Sequence, residues 1–263
     1  IFISIQVIYK NMSGHSKWST IKHGKAVVDA RRAVVFTKLS KEIIIAARQG
    51  GGDPDMNFRL RIAVQKAKDS NMPAANIERA IKRGDGTDGS AVQMEELTYE
   101  GYGPGGTAIL LQVLTDNKNR TVSEVRSTFT KIGGSMAEAG AVAWQFEQKG
   151  VVVVNANEDQ ADELTLVAID AGADDIETVD TTLHAYSAPS DMEEIRRTLS
   201  ESGADIESSE LAMVPKNTIA LDEKTAMQAL RLLDQLEELD DIQKVFSNAD
   251  FPDEALAEYA NAE

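Results

Sequence analysis

The residues best suited to chemistry are lysines and arginines near the start of the chain. Between Ser13 and Gly86 there are 15 basic and 7 acidic residues, whereas from Thr87 onward there are 11 basic and 36 acidic residues. The whole chain carries a net charge of −16. Basic side chains neutralise phosphates and release counterions, so this segment predicts a surface that binds a polyanion.

The basic side chains fall into an arm and two helix faces. Residues 13–26 are polar without periodicity and predict a flexible arm, on which Trp18 either stacks on a base or pins the arm to the helices. On the first predicted helix four cations share one face, and the third predicted helix extends it. The predicted nucleic-acid-binding residues are His15, Lys17, Trp18, Lys22, Lys25, Arg31, Arg32, Lys38, Lys41, Arg48, Arg79, Lys82 and Arg83.

Catalytic constellations are missing from the sequence. His15, His23 and His184 are too widely spaced for an i, i+4 metal pair, and no HExxH or GxSxG string occurs. The chain has no cysteine, which removes thiolate ligands and a cysteine nucleophile. The glycine-rich loop 101–106 lies between two strand-like runs, which favours a turn over a phosphate cradle. We therefore predict no enzyme, no metal site and no cofactor.

Three helices must position the basic residues. The first is predicted over 28–49, with Phe36, Leu39, Ile43 and Ala47 on its core face. The second is predicted to begin at Asp53-Pro54, as N-cap and first-turn proline, and to end near residue 69. The third is predicted over 74–83, with a stop at the glycine that follows. Their apolar faces predict a three-helix bundle.

The remainder predicts an α+β fold of two further domains. A linker at 84–90 precedes strands at 97–100 and 107–114, and a capping box at 121–124 predicts the next helix. Residues 151–214 follow the order βαββαβ, which is ferredoxin-like. A helix at 223–239 and a strand at 241–247 then remain. We therefore predict a basic helical domain over 13–86, an α/β sandwich domain over 87–148 plus 215–250, and a ferredoxin-like domain over 149–214 inserted into it.

The first eleven residues form a short apolar run. It is shorter than the roughly 20 residues of a membrane span and lacks the basic start of a signal peptide. Met12 is followed directly by the basic arm, so we expect residues 1–11 to be a non-native extension. The lack of cysteine suits a reducing cytoplasm.

Four strings resemble one family. GHSKWSTIKHGKAVVDARR, FTKLSKEIIIAARQGGGDP, NMPAANIERAIKRG and YEGYGPGG are similar to the YebC family over residues 13–250. That family includes bacterial probable transcriptional regulators and a mitochondrial translational activator of cytochrome oxidase. The resemblance implies three domains, the first helical, and a cytoplasmic, non-enzymatic role with nucleic acid. Some members resemble translation factors that relieve stalling, which implies a ribosome-facing loop at Asn71, Met72 and Pro73 with Lys17 and Lys22 on rRNA phosphate.

Two classes of function stay open. One is a nucleic-acid-binding regulator, acting through the ribosome or through duplex DNA. The other is a protein-interaction scaffold with acidic α/β domains. Major-groove readers use a recognition helix, which the sequence does not show, and an arm beside a basic bundle suits irregular RNA better. We therefore favour rRNA or the ribosome as partner, with duplex DNA as the alternative, and expect neither a membrane nor a small-molecule substrate as partner.

Overall fold

The computed structural model describes residues 29–87, 89, 93–179 and 181–261. Its helices are α1 (Asp29–Gly50), α2 (Phe58–Asp69), α3 (Ala74–Asp85), α4 (Lys118–Lys131), α5 (Glu158–Asp170), α6 (Met192–Glu201), α7 (Glu223–Glu237) and α8 (Asp253–Asn261). Its strands are β1 (Glu95–Tyr102), β2 (Ala108–Thr115), β3 (Ser135–Ala137), β4 (Phe146–Asn155), β5 (Asp175–Val179), β6 (Thr182–Ser187), β7 (Asp205–Pro215), β8 (Ile219–Ala220), β9 (Ile242–Ser247) and β10 (Ala249–Asp250).

The chain divides into two compact units. The first contains the described residues of 25–143 and 224–245, and the second contains those of 144–223 and 246–261. Both mix helices with sheets, in which β1 and β4 pair antiparallel with their neighbours. The mixed α/β class is therefore confirmed, whereas the three predicted domain boundaries stay predictions.

Helices α1, α2 and α3 pack around one apolar core in the first unit. Ile43 and Ala47 of α1 are buried there, and Phe36 and Leu39 pack against it, which confirms the predicted core face. The buried residues that α2 and α3 contribute are Leu60, Ala63, Val64, Ala67, Ile77 and Ala80. The faces of these helices that point away from this core carry their basic side chains.

The predicted start of α2 was wrong. Asp53 forms a turn, accepting the backbone N–H groups of Met56 and Asn57 at 3.2 and 2.9 Å, and Asn57 is the N-cap. The Asn57 side chain accepts from Leu60 N at 3.1 Å and donates to the carbonyls of Ala46 and Gly51, each at 2.8 Å. Asn57 therefore caps α2 and ties it to the end of α1, which Asp53 does not do.

Gly84 does not end α3 as predicted. It is buried inside the helix, and Gly86 ends it in the left-handed conformation at φ 76°. A Cβ on Gly84 would lie 2.7 Å from Ala47 Cβ and would clash with the carbonyl oxygen of Ile44. Gly84 therefore lets α3 approach the backbone of α1, and the linker begins two residues later than predicted.

The first sheet has the strand order β3-β1-β2-β9. Phe129 of α4 lies against Gly101 of β1, where a Cβ would sit 2.5 Å from the ring. Helix α4 begins at Lys118 with Asn117 as N-cap, three residues before the predicted capping box. Thr121 of that box lies inside the helix, and its hydroxyl forms hydrogen bonds with the buried side chains of Thr115 and Asp241.

Within the glycine-rich segment 101–106, residues 103–106 form a turn between β1 and β2, as predicted. Gly103 N donates to Thr107 O at 2.8 Å and Gly106 N to Gly103 O at 3.1 Å. Just before it, Glu100 is buried and accepts backbone N–H groups from Gly140, Val142 and Ala143 at 2.6, 2.6 and 2.8 Å. Burial alone would raise the pKa of Glu100, but the three donors outweigh it and lower that pKa.

The second unit contains the sheet β5-β6-β4-β7, in which all three neighbouring pairs are antiparallel. With α5 and α6 this gives the βαββαβ order and strand arrangement of a ferredoxin-like fold. Its core contains Val152, Leu183, Ile195 and Leu199. The short strands β8 and β10 and the helix α8 were not predicted. No helix in the described part of the chain is long and apolar enough to cross a membrane.

Candidate nucleic-acid interface

Part of the predicted interface falls outside the described residues. These positions are His15, Lys17, Trp18, Lys22 and Lys25, together with the side chain of Arg31. The other predicted cations lie on α1 and α3 in the first unit. The described part of the predicted interface therefore lies on two helices of the bundle.

Lys38 and Lys41 of α1 bind the end of α7. Lys38 Nζ donates to the carbonyl of Glu237 at 2.5 Å, and Lys41 Nζ donates to the carbonyl of Asp240 at 2.7 Å. Glu237 is the last residue of α7, and a lysine is favourable beside the last carbonyls of a helix because they carry partial negative charge. The hydrogen bonds of these two side chains therefore connect the helical bundle to the α/β part of the same unit.

Asp241 is the centre of this contact. Its side chain is 1% exposed; it forms an ion pair with Lys41, accepts from Arg120 Nη2 at 2.8 Å and accepts from Thr121 Oγ1 at 2.6 Å. Burial would raise the pKa of Asp241, but the hydrogen bonds from Lys41, Thr121 and Arg120 lower it. The hydrogen bonds to Asp241 and Asp116 in turn raise the pKa of Arg120. Asp241 is therefore an ionised, structural carboxylate.

The other described cations of the prediction are exposed. They are Arg32 and Arg48 on α1 and Arg79, Lys82 and Arg83 on α3. Arg79 Nη1 donates to Asn76 Oδ1 at 3.4 Å, a long bond that orients the side chain. The side chains of Lys82 and Arg83 have neither a hydrogen-bond nor an ion-pair partner among the described residues. The structure thus separates α3, whose cations face solvent, from the middle of α1, whose lysines bind protein.

A groove runs between α1 and α3. Its volume is about 250 Å³, and Phe36, Thr37, Ser40 and Ile44 line one side while Asn76, Arg79, Ala80 and Arg83 line the other. Gly84, where α3 approaches the backbone of α1, directly follows Arg83 of this lining. None of these eight lining residues is acidic, so the groove is positive and has an apolar floor.

The three residues of the predicted ribosome-facing loop differ in burial. Met72 is only 5% exposed and belongs to the bundle core, whereas Asn71 and Pro73 are exposed. Asn71 adopts φ 58°, and Met72 N donates to Ala67 O at 2.9 Å, which closes the end of α2. Met72 therefore anchors the loop, and Asn71 and Pro73 are the residues available to a ligand.

Sequence reasoning missed an exposed apolar patch at the start of α2. Met56, Phe58 and Ile62 are 84%, 70% and 42% exposed. The Arg61 guanidinium lies 5.7 Å from the centre of the Phe58 ring, in cation–π range. Phe58 and Ile62 lie outside the buried stripe of α2, which Leu60, Ala63, Val64 and Ala67 form, so the signal was present in the sequence.

Metal chemistry has no candidate site in the part of the chain that the structure describes. No group of three or more histidine, aspartate or glutamate side chains there is arranged to hold an ion. Beside helix α2, Glu96 forms an ion pair with Arg59.

Comparisons with known proteins cover nearly the whole chain. The model of the TACO1/YebC protein N-terminal domain matches residues 16–87, and that of the TACO1/YebC second and third domain matches residues 94–249. A probable transcriptional regulatory protein of Dehalococcoides mccartyi is 58% identical over 249 residues, which are 94% of this chain and 98% of the relative. One from Halothermothrix orenii is 52% identical over 250 residues, which are 94% and 98% of the two chains.

A solved structure is also similar. A conserved hypothetical protein from Aquifex aeolicus superposes with a TM-score of 0.79 at 45% identity, covering 90% of this chain and 97% of that one. Both family models and both relatives agree with the resemblance that the basic arm and the IERAIKR string indicated. The chain belongs to the TACO1/YebC family.

Proposed function

We propose that this protein is a cytoplasmic, non-enzymatic regulator of gene expression that binds nucleic acid through its basic helical domain. The observation that carries the proposal is the exposed basic face of α3. Arg79, Lys82 and Arg83 all face solvent there, and two of them lack a protein partner among the described residues. Exposed cations held on a rigid helix suit phosphate binding, since they neutralise the backbone without ordering a loop.

The predicted three-domain organisation forms part of this proposal. In it, residues 13–86 bind nucleic acid, while 87–148 plus 215–250 and 149–214 form acidic α/β domains. Lys38 and Lys41 hold the bundle to the α/β part. The remaining contacts come from Arg31, Arg32, Arg48 and α3, and from His15, Lys17, Trp18, Lys22 and Lys25 of the arm.

We favour RNA, with the ribosome as the target and promotion of translation by relief of stalling as the role. A bundle with a groove between two helices suits splayed single strands better than the regular major groove. The exposed Phe58 beside Arg61 adds a flat surface of the kind that stacks on unpaired bases. Asn71 and Pro73 lie at the start of the same helix α3 and would enter the ribosome with it.

Transcriptional regulation through duplex DNA is the second candidate. The relatives from Dehalococcoides and Halothermothrix are named as probable transcriptional regulatory proteins, which favours it. The scaffold hypothesis remains as a third, in which the acidic domains bind a protein.

The test is co-sedimentation of the protein with ribosomes, challenged with duplex DNA at equal phosphate concentration. Retention on ribosomes supports the RNA proposal. Complete displacement by the DNA contradicts it and favours the transcriptional candidate. Lack of binding to both, at low salt, favours the scaffold.

A further inference from the structure

The groove between α1 and α3 carries an inference that rests on the proposed function and makes it more specific. Its two sides differ in chemistry. Arg79 and Arg83, one turn apart on α3, supply guanidinium donors along one side. Thr37 and Ser40 of α1 supply hydroxyl oxygens along the other side, above the floor formed by Phe36, Ile44 and Ala80.

The hydroxyl groups of the groove have their protons already engaged. Thr37 Oγ1 donates to Ala33 O at 3.0 Å, and Ser40 Oγ donates to Phe36 O at 2.7 Å. Each oxygen keeps lone pairs, so towards a ligand each acts as an acceptor. The groove thus presents donors on one side and acceptors on the other.

A ribonucleotide unit has the matching groups. Its phosphate accepts hydrogen bonds from guanidinium groups, and its 2′-hydroxyl donates one. A deoxyribonucleotide offers the phosphate but has no 2′-hydroxyl donor. The volume of about 250 Å³ lies below the roughly 300–1,000 Å³ of pockets that enclose whole small ligands. It suits one sugar–phosphate unit of a longer strand better than a free cofactor.

We propose that this groove binds one ribose–phosphate unit of single-stranded RNA, with the phosphate on Arg79 and Arg83 and the 2′-hydroxyl donating to Ser40 or Thr37. The groove then distinguishes RNA from DNA without reading sequence. Phosphate contacts alone do not make this distinction, since both strands carry them. The deoxy sugar binds more weakly because it has no donor for the hydroxyl oxygens on the α1 side.

The experiment measures binding of the full chain to three unstructured oligonucleotides of one sequence: RNA, DNA and 2′-O-methyl RNA. We expect RNA to bind about 3- to 10-fold more tightly than the other two, the range for removal of one hydrogen bond. The double variant Ser40→Ala/Thr37→Val should bind RNA as weakly as DNA and leave DNA affinity unchanged. Arg79→Gln/Arg83→Gln should weaken the binding of all three oligonucleotides and lower the salt slope by about 0.7, the single-strand value for one phosphate.

Arg196→Gln/Arg197→Gln is the matched control, because it removes two arginines that are paired with Glu193 and Glu194 in the second unit. Equal affinity of the wild type for RNA and 2′-O-methyl RNA overturns the inference, and this comparison needs no variant to fold. If the protein binds RNA tightly and in a salt-dependent way, but the groove variants bind as the wild type does, the groove is not the binding site. The proposed function is unaffected by that result. Failure of the wild type to bind any of the three overturns both.

Discussion

Lys41 forms an ion pair with Asp241, a carboxylate that lies 200 positions later in the sequence and is 1% exposed. Arg120 and Thr121 complete the surroundings of the same side chain. A lysine that the sequence placed on a ligand-binding face therefore joins the helical bundle to the neighbouring sheet. The middle of the basic helix α1 therefore has a structural role. The exposed cations Arg32 and Arg48 lie on either side of it.

Removing the charge of Asp241 should destabilise the protein strongly. Asp241→Asn leaves Lys41 and Arg120 without their shared anion, and breaking a buried ion pair costs about 3 kcal/mol or more. Denaturant unfolding of the variant measures this destabilisation. Asp240→Asn is the control, since Asp240 is exposed and binds Lys41 only through its backbone carbonyl. Equal stability of the two variants would contradict the structural role of Asp241.

Glu100 should make stability depend on acid pH. Its pKa is lowered in the folded protein, so its contribution is fully present above the unfolded value of about 4.3 and is lost as the pH falls through the folded pKa below it. Urea unfolding between pH 3 and 6 measures the slope. Glu100→Gln should lower stability by about 2 kcal/mol at pH 6 and flatten the acid dependence. The variant Glu138→Gln, which removes a different carboxylate of the same unit, should do neither; if Glu100→Gln matches it, the account of Glu100 is wrong.

Gly84→Ala tests the close crossing of α1 and α3. In an ordinary helix interior this change stabilises by roughly 0.5–1 kcal/mol. Here the added methyl group meets Ile44 and Ala47, so we expect a destabilisation of about 1–3 kcal/mol, the usual cost of overpacking. Thermal unfolding gives the sign directly. A higher melting temperature would show that the helices can separate at no cost.

Two variants in the loop before α3 should affect stability and ribosome binding independently. Met72→Ala removes a buried side chain and should cost about 3 kcal/mol of stability. Pro73→Ala changes an exposed residue and should leave stability within about 0.5 kcal/mol while weakening ribosome binding. Unfolding and co-sedimentation of both variants provide the measurement. Unchanged ribosome binding by Pro73→Ala would remove the loop from the interface.

Helices and strands with clear periodicity were predictable from the sequence. Helix α1 and its core face were predicted within one residue of the structure, because the 3.6-residue apolar repeat ends at three glycines. The βαββαβ order was predictable for the same reason, since each element buries one face. Helix α8 was missed although Ala255, Leu256 and Tyr259 follow a helical spacing and are buried.

Helix starts and charged contacts were not predictable, because they depend on residues distant in sequence. Asp53 and Thr121 both match the usual N-cap types, but Asn57 reaches Ala46 and Thr121 reaches Asp241. Nothing in the spacing of Lys38 and Lys41 distinguishes them from Arg79 and Arg83. The difference is the end of α7, which lies beside the first pair.

The most direct test of the central claim is the salt dependence of RNA affinity. The wild type is compared with the variant Arg48→Gln/Arg79→Gln/Lys82→Gln/Arg83→Gln, and Arg196→Gln/Arg197→Gln serves as the charge control. We predict that the fourfold variant lowers the slope of log affinity against log salt by about 0.7 for each phosphate that it no longer neutralises, and that the control keeps the wild-type slope. An unchanged slope and affinity in the fourfold variant would show that the exposed basic face does not bind nucleic acid.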